Sequence, residues 1–190
     1  MRGKLSGFLM QVVSVLLLTT ASSSAEALIN IPYDCHLAAD TYRGSCLLTL
    51  EDFSEWKVSD FDQNELFSWY TQDAIVPVGI TPNYFSSYYN YYLTNQNTGS
   101  YVRANLVGAP LRDSQHAITI SGFDRYAYDK SAIYLSNGTF WHISYLDLNL
   151  TKNWYIDDLI IIGKNTEWFS FNTHILINIH TNTYVRVQRL

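Results

Sequence analysis

Leu93-Thr94-Asn95-Gln96-Asn97-Thr98-Gly99-Ser100-Tyr101-Val102-Arg103 returns 83 residues later as Leu176-Ile177-Asn178-Ile179-His180-Thr181-Asn182-Thr183-Tyr184-Val185-Arg186. Leu, Asn, Thr, Tyr, Val and Arg coincide without a gap, and Gly99 faces Asn182. Gly and Asn both tolerate the positive φ of a hairpin corner, so the segment reads as strand, turn, strand. A spacing of 83 is about twice 41, and between the copies stands Leu135-Ser136-Asn137, 42 residues after Leu93 and 41 before Leu176. Repetition at a fixed spacing means one supersecondary unit used several times. Units of ~41 residues predict an all-β chain: a β-trefoil-like fold, or a small β-barrel or sandwich built from hairpin repeats.

The rest of the sequence agrees with β-structure. Short runs rich in Tyr, Ile, Val, Phe, Trp and Thr lie at 46–50, 75–80, 88–93, 101–107, 116–121, 131–135, 140–146, 155–162, 167–171, 175–179 and 184–187. Gly, Asn, Asp, Ser or Pro punctuates them. The best helix candidate is 50–70, although its apolar positions keep no clean 3.6 period.

Residues 1–27 read as a signal peptide. Arg2 and Lys4 form a basic start, 8–18 is apolar, and Ala25-Glu26-Ala27 fits a small-x-small cleavage site. The expected mature chain, 28–190, is then a single secreted all-β domain without a transmembrane segment. Of 12 basic and 17 acidic residues it keeps 10 and 16, a net charge of −6. A mildly acidic chain without basic clusters argues against nucleic acid as a partner. Cys35 and Cys46, the only two cysteines, are expected to pair in an oxidising compartment. Asn137-Gly138-Thr139 and Asn149-Leu150-Thr151 are sequons, and in a eukaryotic source would make Asn137 and Asn149 glycosylation sites.

Catalytic, metal and cofactor motifs are not found, so no cofactor is expected and a binding protein is favoured over an enzyme. Tyr84-Phe85-Ser86-Ser87-Tyr88-Tyr89-Asn90-Tyr91-Tyr92 places six rings in nine residues. Neighbouring rings in a strand face opposite sides, so some must be exposed. An exposed ring stacks on a sugar or a protein partner at low entropic cost, and adjacent amides bond hydroxyls. Tyr88, Tyr89, Tyr91, Asn90, Asn95 and Trp154, the last flanked by Asn153 and Asp157-Asp158, are the expected ligand-binding residues. The partner is then a glycan or cell-surface protein. The chain reads as lectin-like, or as the cell-binding subunit of a secreted toxin or other hetero-oligomer. Two alternatives are a membrane-acting cytolysin and a secreted hydrolase using carboxylates within 51–65, among them Glu51, Glu55, Asp60 and Asp62.

Overall fold

Period-two burial marks the strands of the computed structural model, which describes residues 32–80, 88–124, 131–168 and 170–190. The first six are β1 (His36–Tyr42), β2 (Leu47–Leu50), β3 (Glu55–Val58), β4 (Ala74–Gly79), β5 (Tyr91–Asn95) and β6 (Tyr101–Gly108). The second six are β7 (Ile118–Phe123), β8 (Ala132–Leu135), β9 (Phe140–Ile143), β10 (Leu159–Lys164), β11 (His174–Asn178) and β12 (Thr183–Arg189). In β5, Tyr91, Leu93 and Asn95 are buried while Tyr92 and Thr94 are not, the pattern expected of a strand with one face inward.

The strands pair in the order β1-β2-β3-β6-β5-β4, and β4 returns to β1. The last six repeat this as β7-β8-β9-β12-β11-β10, with β10 returning to β7. Every pairing within each ring is antiparallel, so each half is a closed six-stranded barrel with a Greek-key crossing from its third strand to its sixth. Closure satisfies the edge groups that an open sheet of this size would expose. The two rings join through one parallel contact of β4 with β10, Lys164 against Val78.

The all-β expectation and the barrel are therefore found. The three-fold, ~41-residue unit is not the one that repeats. Leu135-Ser136-Asn137 ends β8, the counterpart of β2, and leads into β9, the counterpart of β3. Hairpins resemble one another, which is why a second-strand hairpin passed for a copy of the fifth-strand one.

The real unit is a whole barrel, and its interior hydrogen bonds recur. Trp56 Nε1 donates to Ser54 Oγ and Trp141 Nε1 to Thr139 Oγ1. Trp69 Nε1 donates to Ser100 Oγ and Trp154 Nε1 to Thr183 Oγ1. Asn95 Nδ2 donates to Asp73 and Asn178 Nδ2 to Asp158. Arg103 forks onto Asp62 and Arg186 onto Asp147. Positive φ recurs in register too, at Gln72 and Asp157 and at Gly99 and Asn182. Each pair is 83 or 85 residues apart.

Two cores follow from two barrels. Trp56, Tyr91, Leu93 and Trp69 belong to the first; Trp141, Trp154, Ile133 and Val185 belong to the second. The run Ile160-Ile161-Ile162 serves both: Ile161 joins the first core while Ile160 and Ile162 join the second. A strand covered on both faces needs apolar residues without alternation.

Three further expectations change. Within 50–70 the chain forms β3, a 3₁₀ turn Asp60–Asp62 and a one-turn helix α1 (Gln63–Leu66), not one long helix. Trp56 and Val58 alternate inward, and Ser59 then caps the turn by accepting from the Phe61 amide. Strand β1 escaped notice because a bulge between Ala38 and Asp40 breaks its alternation. Cys35 and Cys46 are both free thiols. Cys46 lies beside the β1–β2 hairpin, where Tyr42 faces Leu47, and Cys35 lies beyond the opposite end of β1. Seven strand residues at ~3.3 Å each put them roughly 20 Å apart, far outside disulfide reach. The proposed leader, 1–27, and the ring Tyr84 lie outside the described residues. Among the described residues no helix is long and apolar enough to cross a membrane.

Candidate functional site

The buried residues that recur in both barrels close and fill each barrel, whereas the place where the barrels meet is where the copies differ. The seam between them is the main difference. On β10, a Cβ at Gly163 would collide with the Pro77 carbonyl oxygen of β4; the first barrel carries Val78 at the matching position. On β4, a Cβ at Gly79 would stand 2.8 Å from Tyr184 Cζ. Both glycines let the barrels approach, and Gly79 lets the Tyr184 ring lie across the seam.

Tyr184 and its counterpart Tyr101 therefore have different surroundings. Tyr101 is 61% exposed and meets Tyr92 edge-on at 5.2 Å. Tyr184 lies 6.0 Å from the buried Tyr91 ring and donates its hydroxyl to the Ile80 carbonyl at 3.3 Å. Around it opens a cleft of about 360 Å³. Ile80, Asn90 and Tyr91 line it from the first barrel. Asn182, Thr183, Tyr184 and Leu150 line it from the second.

A fixed charge cluster forms one wall. Asp147 Oδ2 accepts from the Arg186 backbone amide and from Nε, while Oδ1 accepts from the second guanidinium arm at 2.6 Å. The remaining arm donates to Glu167 Oε2 at 2.7 Å. These bonds hold Arg186 far above its ordinary pKa, so it is a permanent cation. Glu167 and Arg186 also wall a second hollow of about 260 Å³, which Leu146, Trp168 and Phe171 border. Trp168 is 90% exposed, Phe171 87% and Leu146 75%. The two hollows thus offer rings beside donors and acceptors already fixed in place, an arrangement for holding a polar ligand.

The sequence-predicted residues divide. Asn90 and Tyr91 line the cleft, with Tyr91 at its floor and edge-on to Trp56 at 5.3 Å. Tyr88 is 84% exposed, and the Arg103 guanidinium stands 6.0 Å above the Tyr89 ring. Asn95 is wholly buried; its Oδ1 accepts from the Asn97 and Thr98 amides and shapes the hairpin turn. Trp154 is wholly buried in the second core. Unlike Tyr91, neither of these two lines the cleft, so their expected ligand roles are withdrawn. Glu167, Trp168 and Tyr184 were missed. The signal that would have found them is comparison of the two copies.

The carboxylates of 51–65 turn to separate partners: Glu51 to His36, Asp60 to Lys57 and Asp62 to Arg103, while Glu55 lies along Gly108. Asn137 and Asn149 are exposed, and Asn137 Oδ1 accepts from the Thr139 amide and hydroxyl.

Near the seam, buried His36 places Nδ1 3.0 Å from Glu51 and Nε2 3.0 Å from the Ile162 carbonyl, tying the first barrel to β10. Burial opposes the imidazolium, but the Glu51 hydrogen bond and charge, with Asp52, lift its pKa to about 9. Both ring nitrogens are engaged, and burial pushes the neighbouring Cys35 thiol up, so the pair is a clamp without an activated nucleophile. Among the described residues no cluster of three His, Cys, Asp or Glu side chains is grouped to hold a metal.

Comparison with protein-family models, curated proteins and solved structures finds no match to this chain.

Proposed function

We propose that this protein is a secreted, non-enzymatic binding module that takes carbohydrate in the cleft at the seam. The observation that supports this is the juxtaposition of the Tyr184 ring with Asn90, Asn182, Thr183 and the Arg186–Glu167 pair around one hollow. Its volume is near the low end of the ~300–1,000 Å³ usual for ligand sites, a size suited to one or two sugar rings. A sugar presents apolar C–H faces to a ring and hydroxyls to fixed amides and carboxylates. In a secreted complex the module would serve as the cell-binding subunit.

The test is retention of residues 28–190 on agarose displaying galactose, mannose, N-acetylglucosamine or sialic acid. Retention on one of these resins, weakened at least about tenfold by Asn90→Ala with Asn182→Ala, is expected if two hydrogen-bonding amides are lost. Passage through all four without delay ends the carbohydrate reading.

A second reading, a membrane-acting protein, draws support from the exposed Trp168, Phe171 and Leu146, residues suited to a headgroup interface. Dye release from phosphatidylcholine vesicles, with and without phosphatidylserine, tests it. Intact vesicles on both compositions dispose of it.

A further inference from the structure

Exposed apolar residues are common singly, and one alone says little. Here they occur at the same places in both barrels. Phe61, in the 3₁₀ turn after Ser59, is 88% exposed; Leu146, in the 3₁₀ segment after Ser144, is 75% exposed. Tyr88 stands three residues before β5 and Phe171 three before β11, at 84% and 87% exposure.

Each pair flanks the same fork, half-exposed in the first barrel and more buried in the second. Phe61 adjoins Asp62, which accepts from Arg103 at 2.8 Å through both Nε and the terminal nitrogen. Leu146 adjoins Asp147, which holds Arg186 in the same way. Tyr88 is fixed beside β6 by Asn105, whose Nδ2 donates to its carbonyl at 2.7 Å. Phe171, Leu146 and Arg186 border the 260 Å³ hollow.

Other exposed positions in these segments diverged in character: Asp60 faces Tyr145 in the other copy, and Glu65 faces Leu150. Exposed apolar side chains add nothing to either core, so drift between the copies would replace them with polar residues. Their persistence beside Asp60/Tyr145 and Glu65/Leu150, which changed character, indicates use.

We infer that each barrel carries a sugar-binding face at its arginine–aspartate fork, framed by Phe61 and Tyr88 in the first and by Leu146 and Phe171 in the second. One chain is thus divalent toward a repeating glycan. This rests on the carbohydrate reading above: the second barrel's face continues that cleft across the Arg186–Glu167 pair, which walls both hollows, and the first barrel adds a second face. The fork supplies fixed donors and acceptors for hydroxyls, and the ring supplies the stacking surface.

The experiment compares wild type with Phe61→Ser/Tyr88→Ser, with Leu146→Ser/Phe171→Ser and with all four changes, on the four sugar-agarose supports. Thermal melts confirm folding, since all four side chains face solvent. A monomeric wild type is expected to cross-link sugar-coated beads. Each double variant should still bind the beads but not cross-link them, with apparent affinity for dense sugar falling by about 10²-fold as avidity is lost. The quadruple variant should neither bind nor cross-link the beads.

Cross-linking that persists in a monomeric double variant overturns divalency and leaves the carbohydrate reading standing. So does bead binding abolished by one double variant and untouched by the other. Absence of binding by wild type overturns both.

Discussion

The first barrel takes Ile161, Ile175 and Ile177 into its core from β10 and β11 of the second, whereas the second builds its core from its own residues. In the first, Tyr101 projects into solvent; in the second, the matching Tyr184 lies across the seam on Gly79. In the first, His36 and Glu51 occupy positions that the second fills with Ile118 and Ser136. The backbone logic survives the exchange: the Leu37 amide donates to Glu51, and the Thr119 amide to Ser136 Oγ. Duplication kept whatever closes a barrel and changed what joins the two. The cleft at the seam lies among the changed positions because joining two curved surfaces leaves hollows that neither surface has alone.

Equivalence of the two cores is most sharply tested by Trp56→Ala and Trp141→Ala. Each removes a wholly buried ring and strands a hydroxyl partner, Ser54 or Thr139. Urea unfolding should show a loss of about 3–5 kcal/mol for each. A loss below about 1 kcal/mol for one alone would show that the two cores are not equivalent.

The clamp predicts a pH dependence that the second barrel lacks. His36 has a pKa raised from 6.5 to about 9, so its stabilisation is complete below 6.5 and disappears as pH rises through about 9. That shift corresponds to about 3 kcal/mol at most. Glu51 is shifted the other way: burial raises its pKa, but the His36 bond and charge outweigh it, so its contribution holds above 4.5 and is lost as pH falls through the lowered value. The exchange His36→Ile with Glu51→Ser installs the second barrel's residue types. Urea midpoints of that variant should stay flat between pH 6.5 and 9 while those of wild type fall. Parallel curves would remove the clamp from the account.

Gly163→Val installs the first barrel's residue at the seam and drives a side chain into the Pro77 carbonyl. A loss of about 2–3 kcal/mol is expected from overpacking. Unchanged melting would mean that the seam opens freely.

The smallest contrast concerns the forks. Asp147→Ala leaves Arg186, only 22% exposed, with Glu167 alone, and should cost about 2 kcal/mol. Asp62→Ala frees Arg103, already 40% exposed, and should cost about 1 kcal/mol after solvent screening. The reverse order in thermal melts would contradict the burial of the second fork.

Much of this was legible in the chain. Trp56, Ser59, Asp62, Trp69-Tyr70 and Asp73 recur as Trp141, Ser144, Asp147, Trp154-Tyr155 and Asp158, all 85 residues on. With the hairpin repeat at 83, that pattern defines a duplicated unit about twice the length of a trefoil hairpin repeat. The candidate site was only partly legible. Asn90 and Tyr91 stood in an aromatic run that invited attention, but Tyr184 looked like a repeat of Tyr101 and Trp154 looked exposed among polar neighbours. Whether a given tyrosine lies on a surface or across a seam depends on what the other barrel places opposite it, and no local pattern records that.

By itself the sequence determined most of the strands, their turns and the paired aspartate, asparagine and tryptophan positions, because alternation and turn chemistry act over a few residues. Only the tertiary structure decided that closure comes after six strands, that the two cysteines stand at opposite ends of β1, and that Ile160-Ile161-Ile162 feeds two cores. Those outcomes depend on register and on pairings between distant segments, where the gain comes from contacts that exist only once the barrels have closed and met.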